Sequence, residues 1–77
     1  METNGGIKMT QCERIMRHLE DYGSITPHDA MKEYGIMRLA SRISELRKDG
    51  VPIEGVMERG KNRYGETTYW KRYSLAS

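Results

Sequence analysis

Apolar residues recur with helical spacing between residues 37 and 50, and this segment predicts the central helix of the chain. With 3.6 residues per turn, one stripe of such a helix faces a core. The apolar residues of that stripe are Leu39, Ala40, Ile43 and Leu46. The other side carries Arg38, Ser41, Glu45 and Lys48, with Arg42 on the flank. These polar side chains are of the types that bond phosphates and base edges.

A first helix is predicted upstream, over about residues 11–21. Thr10 and Glu13 have the spacing of a capping box, in which each side chain bonds the other residue's backbone N–H. Ile15, Met16 and Leu19 then follow at helical spacing. Residues 24–25 are expected to form a single extended link to the next helix.

A short second helix is predicted from Thr26 to about residue 34. Thr26 is a suitable N-cap, Pro27 occupies a first-turn position that needs no N–H, and Asp29 suits the helix dipole. Gly35 ends the helix, so only a tight turn separates it from the central helix. The side chains expected to face the first helix are Ala30, Met31 and Tyr34.

A β-hairpin is predicted after the central helix, because β-branched and aromatic residues are concentrated at 53–57 and 67–75. Between these strands, residues 58–66 are expected to form a long loop with three basic side chains, Arg59, Lys61 and Arg63. Alternation places Tyr69, Lys71, Tyr73 and Leu75 on one face of the second strand. We expect the face with Tyr73 and Leu75 to be buried, which puts Trp70 and Arg72 outside.

The chain is short enough for a single domain, which we expect over residues 10–75, after a flexible polar leader at 1–9 and before a short tail at 76–77. Its formal charge is only +2, but the charge is unevenly distributed. Residues 1–36 carry four basic and six acidic side chains, and residues 37–77 carry nine basic and five acidic. The positive half therefore begins with the central helix.

Several classes of protein are not indicated by this sequence. The single cysteine, Cys12, allows no intrachain disulfide and fits a reducing, cytoplasmic compartment. No apolar run reaches the ~20 residues of a membrane helix. His18 and His28 lack zinc-ligand spacing, and no acid pair, activated nucleophile or glycine-rich phosphate loop is present. We therefore expect neither an enzyme nor a bound cofactor or metal.

The predicted order of helix, link, helix, tight turn, helix and hairpin resembles the winged helix-turn-helix domain, over about residues 10–75. The segment SITPHDAMKEYGIMRLASRISELRKDGVPI resembles a small helix-turn-helix family common in phage and prophage genomes, through its ITP opening, YGI turn, RLASRI helix and LRKDG end. The resemblance implies an α+β, mostly α fold of three helices followed by a wing. It also implies binding to double-stranded DNA, in transcription regulation or as an accessory factor in recombination or replication.

In that architecture, the candidate DNA-binding residues of the central helix are Arg38, Ser41, Arg42, Glu45 and Lys48, which would enter the major groove. The candidates in the hairpin loop are Arg59, Lys61 and Arg63, which would bind phosphates or the minor groove. The alternative for both sets is a solvated polar surface with no ligand. Arg42 could also cover the core or pair with an acid, and Glu45 could pair with Arg42 or Lys48.

A different function remains open for the outer face of the hairpin. Trp70 and Arg72 are candidates for binding a partner, because a large exposed ring is a common anchor at protein interfaces. Trp70 could equally pack across the edge of the core. The alternative to DNA binding is therefore an adaptor or inhibitor that binds a phage or host protein. Neither a monomer nor a dimer is favoured by the sequence.

Overall fold

The structure, a computed structural model, describes residues 9–76, so most of the predicted leader and the final residue of the predicted tail lie outside the described residues. The elements in chain order are α1 (Gln11–Tyr22), β1 (Ser24–Ile25), α2 (Pro27–Tyr34), α3 (Leu39–Lys48), β2 (Ile53–Lys61) and β3 (Thr67–Leu75). Three helices followed by a long hairpin confirm the predicted α+β architecture.

Both predicted helix caps are confirmed. The Thr10 hydroxyl accepts from the Glu13 N–H at 3.1 Å, and the Thr10 N–H donates to the Glu13 carboxylate at 2.8 Å. The same reciprocal pair joins Thr26 and Asp29, with both distances 3.1 Å. Each box satisfies backbone donors that a helix start leaves unpaired. The sequence therefore defines where α1 and α2 begin.

Helix α3 begins at Leu39, two residues later than the predicted start, and Arg38 occupies its N-cap without a capping side-chain bond. Leu39, Ile43 and Leu46 are buried as predicted. Ala40 is exposed, so its assignment to the buried stripe was wrong. The stripe is narrower than predicted because α3 contacts α1 on one side and β2 on the other, and Ala40 lies beyond these contacts.

The core brings together residues from every element of the fold. Its four fully buried large side chains are Ile15, Ile25, Ile36 and Ile43. Ile25 and Ile36 lie in a two-residue strand and a turn, where no periodic pattern could identify them. Met31 is 44 % exposed, so its expected place between α1 and α2 was wrong. Between α1 and α2, Tyr34 instead forms a hydrogen bond with the buried His18 of α1, at 2.6 Å.

The sheet contains three strands in the order β1-β3-β2, and both pairs are antiparallel. The expected link at residues 24–25 is a short strand, because it pairs with β3 at Tyr73 and Ser74. The long loop predicted over 58–66 was also wrong, since β2 continues to Lys61 opposite Thr67. Backbone hydrogen bonds along the hairpin form regardless of side-chain polarity, so polar residues there did not indicate a loop.

A five-residue turn, 62–66, closes the hairpin. The Asn62 side-chain oxygen accepts from the backbone N–H groups of Tyr64 and Glu66, at 2.9 and 3.1 Å. Gly65 takes the positive φ of 78° that this turn requires. We call β2, this turn and β3 the wing, which extends well beyond the helices as a two-stranded ribbon.

Candidate nucleic-acid interface

Strand alternation gives the wing two chemically different faces. Tyr73 is buried, which confirms the predicted inward face of β3. Beyond the core, the same face continues with Met57, Arg59, Lys61, Tyr69 and Lys71, and we call these five residues the front face. The opposite side carries Val56, Glu58, Gly60, Trp70 and Arg72, and we call these the back face.

The front face is cationic and open. Arg59, Lys61 and Lys71 are exposed, and within residues 9–76 none of their side chains has an ion-pair or hydrogen-bond partner. No acidic residue belongs to this face. Unpaired cations spaced along a ribbon are suited to bind a polyanion, because their charges are not already neutralised by the protein.

The back face is closed by an internal network. The carboxylate of Glu58 accepts from the Trp70 indole N–H and from Arg72 Nε, each at 2.8 Å. Arg72 also donates to the Ser24 hydroxyl at 2.9 Å, which connects the wing to β1. The Arg72 hydrogen bond, and then that of Trp70, lowers the pKa of Glu58, and the bond to Glu58 raises the pKa of Arg72. These charged groups are therefore already occupied.

A glycine allows the indole ring to lie close to the strand. A Cβ added at Gly60 would lie 2.8 Å from Cη2 of Trp70, closer than any ordinary carbon contact. Gly60 is directly beside the Glu58–Trp70 pair on β2, so the ring covers the glycine while its N–H reaches the carboxylate. Trp70 is consequently half-buried on the back face.

Arg47 joins α3 to the wing, although the sequence did not single it out. Its Nε donates to the Ile53 carbonyl at 3.1 Å, and its guanidinium lies 5.9 Å from the centroid of the Tyr73 ring. Tyr73 belongs to the strand face that continues as the front face. The flank of α3 that carries Arg47 therefore packs on the strand face that continues beyond the core as the front face.

The opposite flank of α3 is tied to α1. Arg42 pairs with Glu45 through Nη1 and donates from Nε to the Gln11 side chain at 3.0 Å. The Cys12 thiol donates to Glu45 at 3.6 Å. Burial, and then this bond, raises the pKa of Cys12, so the thiol stays protonated. Arg42 and Glu45 therefore hold two helices together.

The remaining polar residues of α3 are open to a ligand. They are Arg38, Ser41, Ser44 and Lys48, and we call them the α3 face. Ser41 is half-buried and the other three are exposed. None of the four side chains makes a hydrogen bond or ion pair to another part of residues 9–76. Basic and small polar groups thus lie together beside the wing.

The candidate residues predicted from sequence lie in five places: the α3 face, the pair between α3 and α1, the front face, the turn and the back face. Arg38, Ser41 and Lys48 lie on the α3 face, and Arg42 and Glu45 form the helix-to-helix pair. Arg59 and Lys61 lie on the front face, and Arg63 lies in the turn. Trp70 and Arg72 lie on the back face. There they line a groove of about 460 Å³ with Thr26, His28 and Asp29.

Five residues of this surface were not identified as candidates from sequence: Ser44, Arg47, Met57, Tyr69 and Lys71. The signal for Lys71 and Tyr69 was present, because strand alternation places both with Tyr73. Their exposure depends on how far the wing extends past the core, which the sequence pattern did not reveal. The position of Arg47 beside the wing depends on the angle at which α3 packs against β2.

Other kinds of site were sought in the same part of the chain. Between residues 9 and 76, no group of three or more His, Cys, Asp or Glu side chains could hold a metal ion. Over the same range, none of the helices combines the length and the apolar character needed to cross a membrane.

Comparison with known proteins agrees with this architecture. The sequence model of the family described as "Winged helix-turn-helix domain" matches residues 10–77. A search of curated proteins finds no match. Domains of this description generally bind DNA and are typically not enzymes. Since the match covers all three helices and the wing, the chain belongs to the winged helix-turn-helix domain family.

Proposed function

We propose that this protein binds double-stranded DNA in a sequence-specific manner, with α3 in the major groove and the wing on the neighbouring backbone. The observation that carries the proposal is the contact of Arg47 on α3 with Ile53 and Tyr73 of the wing, because it holds α3 against the strand face that continues outward as the cationic front face. A major groove about 12 Å wide admits one helix, and its base edges offer acceptors to arginine, lysine and serine.

The two surfaces have different chemical roles in this proposal. Arg38, Ser41 and Lys48 contact base edges, which carry sequence information. Arg59, Lys61 and Arg63 contact phosphates, which give affinity and position but little sequence preference. We assign Arg42 and Glu45 to the support of α3, because their side chains already bond to each other and to α1.

We further propose a role in transcription regulation, or as an accessory factor in recombination or replication. The support for it is the similarity of residues 24–53 to small phage and prophage helix-turn-helix proteins. A protein that binds phage or prophage DNA would act in the cytoplasm. The free thiol of Cys12 is compatible with that compartment.

An adaptor that binds a phage or host protein is the second candidate, and the groove beside Trp70 favours it. Trp70 and Arg72 would be its anchors. Both, however, use side-chain N–H groups to hold Glu58, so a partner would contact mainly the ring surface. DNA binding accounts for more of the open polar groups and is the proposal we prefer.

The test begins with selection of bound sequences from a random duplex pool, followed by affinity measurements on the selected site and on random DNA. Arg38→Ala should cost about 1–3 kcal/mol on the selected site and much less on random DNA. Replacing Lys61 and Arg63 with alanine should weaken both duplexes by similar factors. If Arg38→Ala leaves every duplex affinity unchanged but abolishes binding of a protein partner, the adaptor function replaces the one proposed.

A further inference from the structure

The front face carries two large apolar side chains that phosphate binding does not require. Tyr69 is 64 % exposed and Met57 is 60 % exposed, and both lie beyond the core. No hydrogen bond from the Tyr69 hydroxyl is present within the described residues. The ring is thus an accessible flat surface on the most cationic part of the molecule.

The strand register places charged and apolar side chains around this ring. Arg59 lies directly opposite Tyr69, and Lys71 lies opposite Met57. Directly opposite side chains have Cβ atoms about 4.5–5.5 Å apart, and same-face neighbours along a strand are about 7 Å apart. Around Tyr69, Arg59 therefore lies opposite, Lys71 lies along β3, and Lys61 and Met57 lie at the two diagonal positions.

This combination fits an unpaired base better than a paired one. A duplex presents base edges and phosphates, whereas a single strand also exposes the flat faces of its bases. Aromatic rings stack on those faces with little dependence on sequence, while nearby cations hold the backbone. A wing that contacted only duplex phosphates would gain little from an exposed tyrosine ring.

We propose that the front face is a binding site for single-stranded DNA, in which a base stacks on Tyr69 while Arg59 and Lys71 hold the flanking phosphates. Since Arg47 ties α3 to the strand face that continues outward as the front face, a duplex held by α3 can extend an unpaired strand across it. The affinity for a single strand stands without the proposed function. The preference for a duplex with an overhang rests on it.

The experiment measures fluorescence anisotropy of the full chain with three probes. They are a (dT) oligonucleotide of about 12 nucleotides, a blunt duplex of about 20 base pairs and the same duplex with a single-stranded (dT) extension. Tyr69→Ala should weaken binding to the single strand by about 5- to 150-fold. It should also remove the advantage of the extended duplex over the blunt one. Affinity for the blunt duplex should be unchanged.

Two matched variants control for ring chemistry and for position. Tyr69→Phe keeps the stacking surface and should bind the single strand like the parent. Tyr64→Ala removes a more exposed tyrosine from the turn, and its single-strand affinity should not change. Trp70 on the back face reports on folding, because its emission should be the same in Tyr69→Ala as in the parent.

The proposal is overturned if Tyr69→Ala binds the single strand as tightly as the parent, or if it weakens blunt-duplex binding by the same factor. Lys48→Ala, on the α3 face, distinguishes a failure of this proposal from a failure of the proposed function. It should weaken binding to the blunt duplex and leave binding to the single strand unchanged. If the parent binds the single strand through Tyr69 but binds no blunt duplex, the proposed function fails and the single-strand site stands.

Discussion

The two faces of the wing differ in what their charged groups do. On the back face, Glu58 accepts from both Trp70 and Arg72, so these polar groups bond to one another. On the front face, Arg59, Lys61 and Lys71 have no such partners in the described part of the chain. A charged residue indicates a ligand site only when the protein has not already paired it.

The same contrast divides α3. Arg42 and Glu45 bond to each other and to α1, whereas Lys48 and Arg38 make no such contact within residues 9–76. From the sequence all four residues were candidates, with an Arg42–Glu45 pair as an alternative that the structure shows. The structure therefore defines two closed surfaces that maintain the fold and two open surfaces on elements that Arg47 connects, α3 and the wing. Each comparison can be tested with variants that disrupt the internal contacts of a closed surface or remove the charges of an open one.

The largest effect is expected in the core that holds both surfaces in place. Ile43 is 1 % exposed beneath the α3 face, so Ile43→Ala should lower the free energy of unfolding by about 2–5 kcal/mol. Ser44→Ala, one residue along the helix and exposed, should change it by less than about 0.5 kcal/mol. Urea unfolding followed by circular dichroism measures both. Equal losses would mean that α3 does not bury this stripe.

Disrupting the packing of Trp70 on the back face should have the next largest effect on stability. Gly60→Ala places a methyl group against the Trp70 ring, so the ring must move, at a cost of about 1–3 kcal/mol. The Trp70 emission should shift and become easier to quench with acrylamide. Gly55→Ala is the matched control, because its added Cβ meets Tyr73 only at 3.3 Å. An unchanged Trp70 spectrum in Gly60→Ala would contradict the described packing.

Removing the tie between α3 and α1 should cost less. Arg42→Ala deletes a partly exposed ion pair and the bond to Gln11, so we expect a loss of about 0.2–1 kcal/mol in unfolding free energy. Its effect on binding the selected duplex site should be smaller than that of Lys48→Ala. Thermal melts and anisotropy titrations measure the two quantities. A larger loss of DNA affinity in Arg42→Ala than in Lys48→Ala would mean that Arg42 contacts the DNA.

The smallest effect expected is a local change with pH. The pKa of Glu58 is lowered in the folded protein, so its contribution to stability is present above the usual carboxyl pKa, about 4.3. That contribution disappears as the pH falls through the lower, folded value. Trp70 emission should therefore titrate at a pH below the usual carboxyl pKa, and Glu58→Gln should abolish the transition. A transition that persists in Glu58→Gln would assign it to another carboxyl.

Much of the fold was predictable from local chemistry. The capping boxes at Thr10 and Thr26 gave the helix starts, and the spacing of Leu39, Ile43 and Leu46 gave the buried side of α3. The predictions that failed concern strands that form by pairing with residues distant in the sequence. The extension of β2 over residues 58–61 and the pairing of residues 24–25 with β3 come from backbone bonds to distant residues.

The candidate site was predicted less completely, for a related reason. Periodicity shows which side of α3 is polar but not which polar groups are paired, so Arg42 and Lys48 could not be separated. Strand alternation grouped Lys71 with Tyr73, but the length of the wing decides that Lys71 is exposed. Arg47 is a neighbour of the front face only because α3 packs against β2 at that point.

The salt dependence of duplex binding tests the central claim most directly. The logarithm of the affinity should fall linearly with the logarithm of salt concentration, by about 0.9 for each phosphate contacted. Replacing the wing cations Arg59, Lys61 and Arg63 with glutamine should reduce that slope by about 2 to 3. The charge-matched control replaces Arg14, Arg17 and Lys32 of α1 and α2 and should leave the slope nearly unchanged. Equal slopes for the two triple variants would contradict the account.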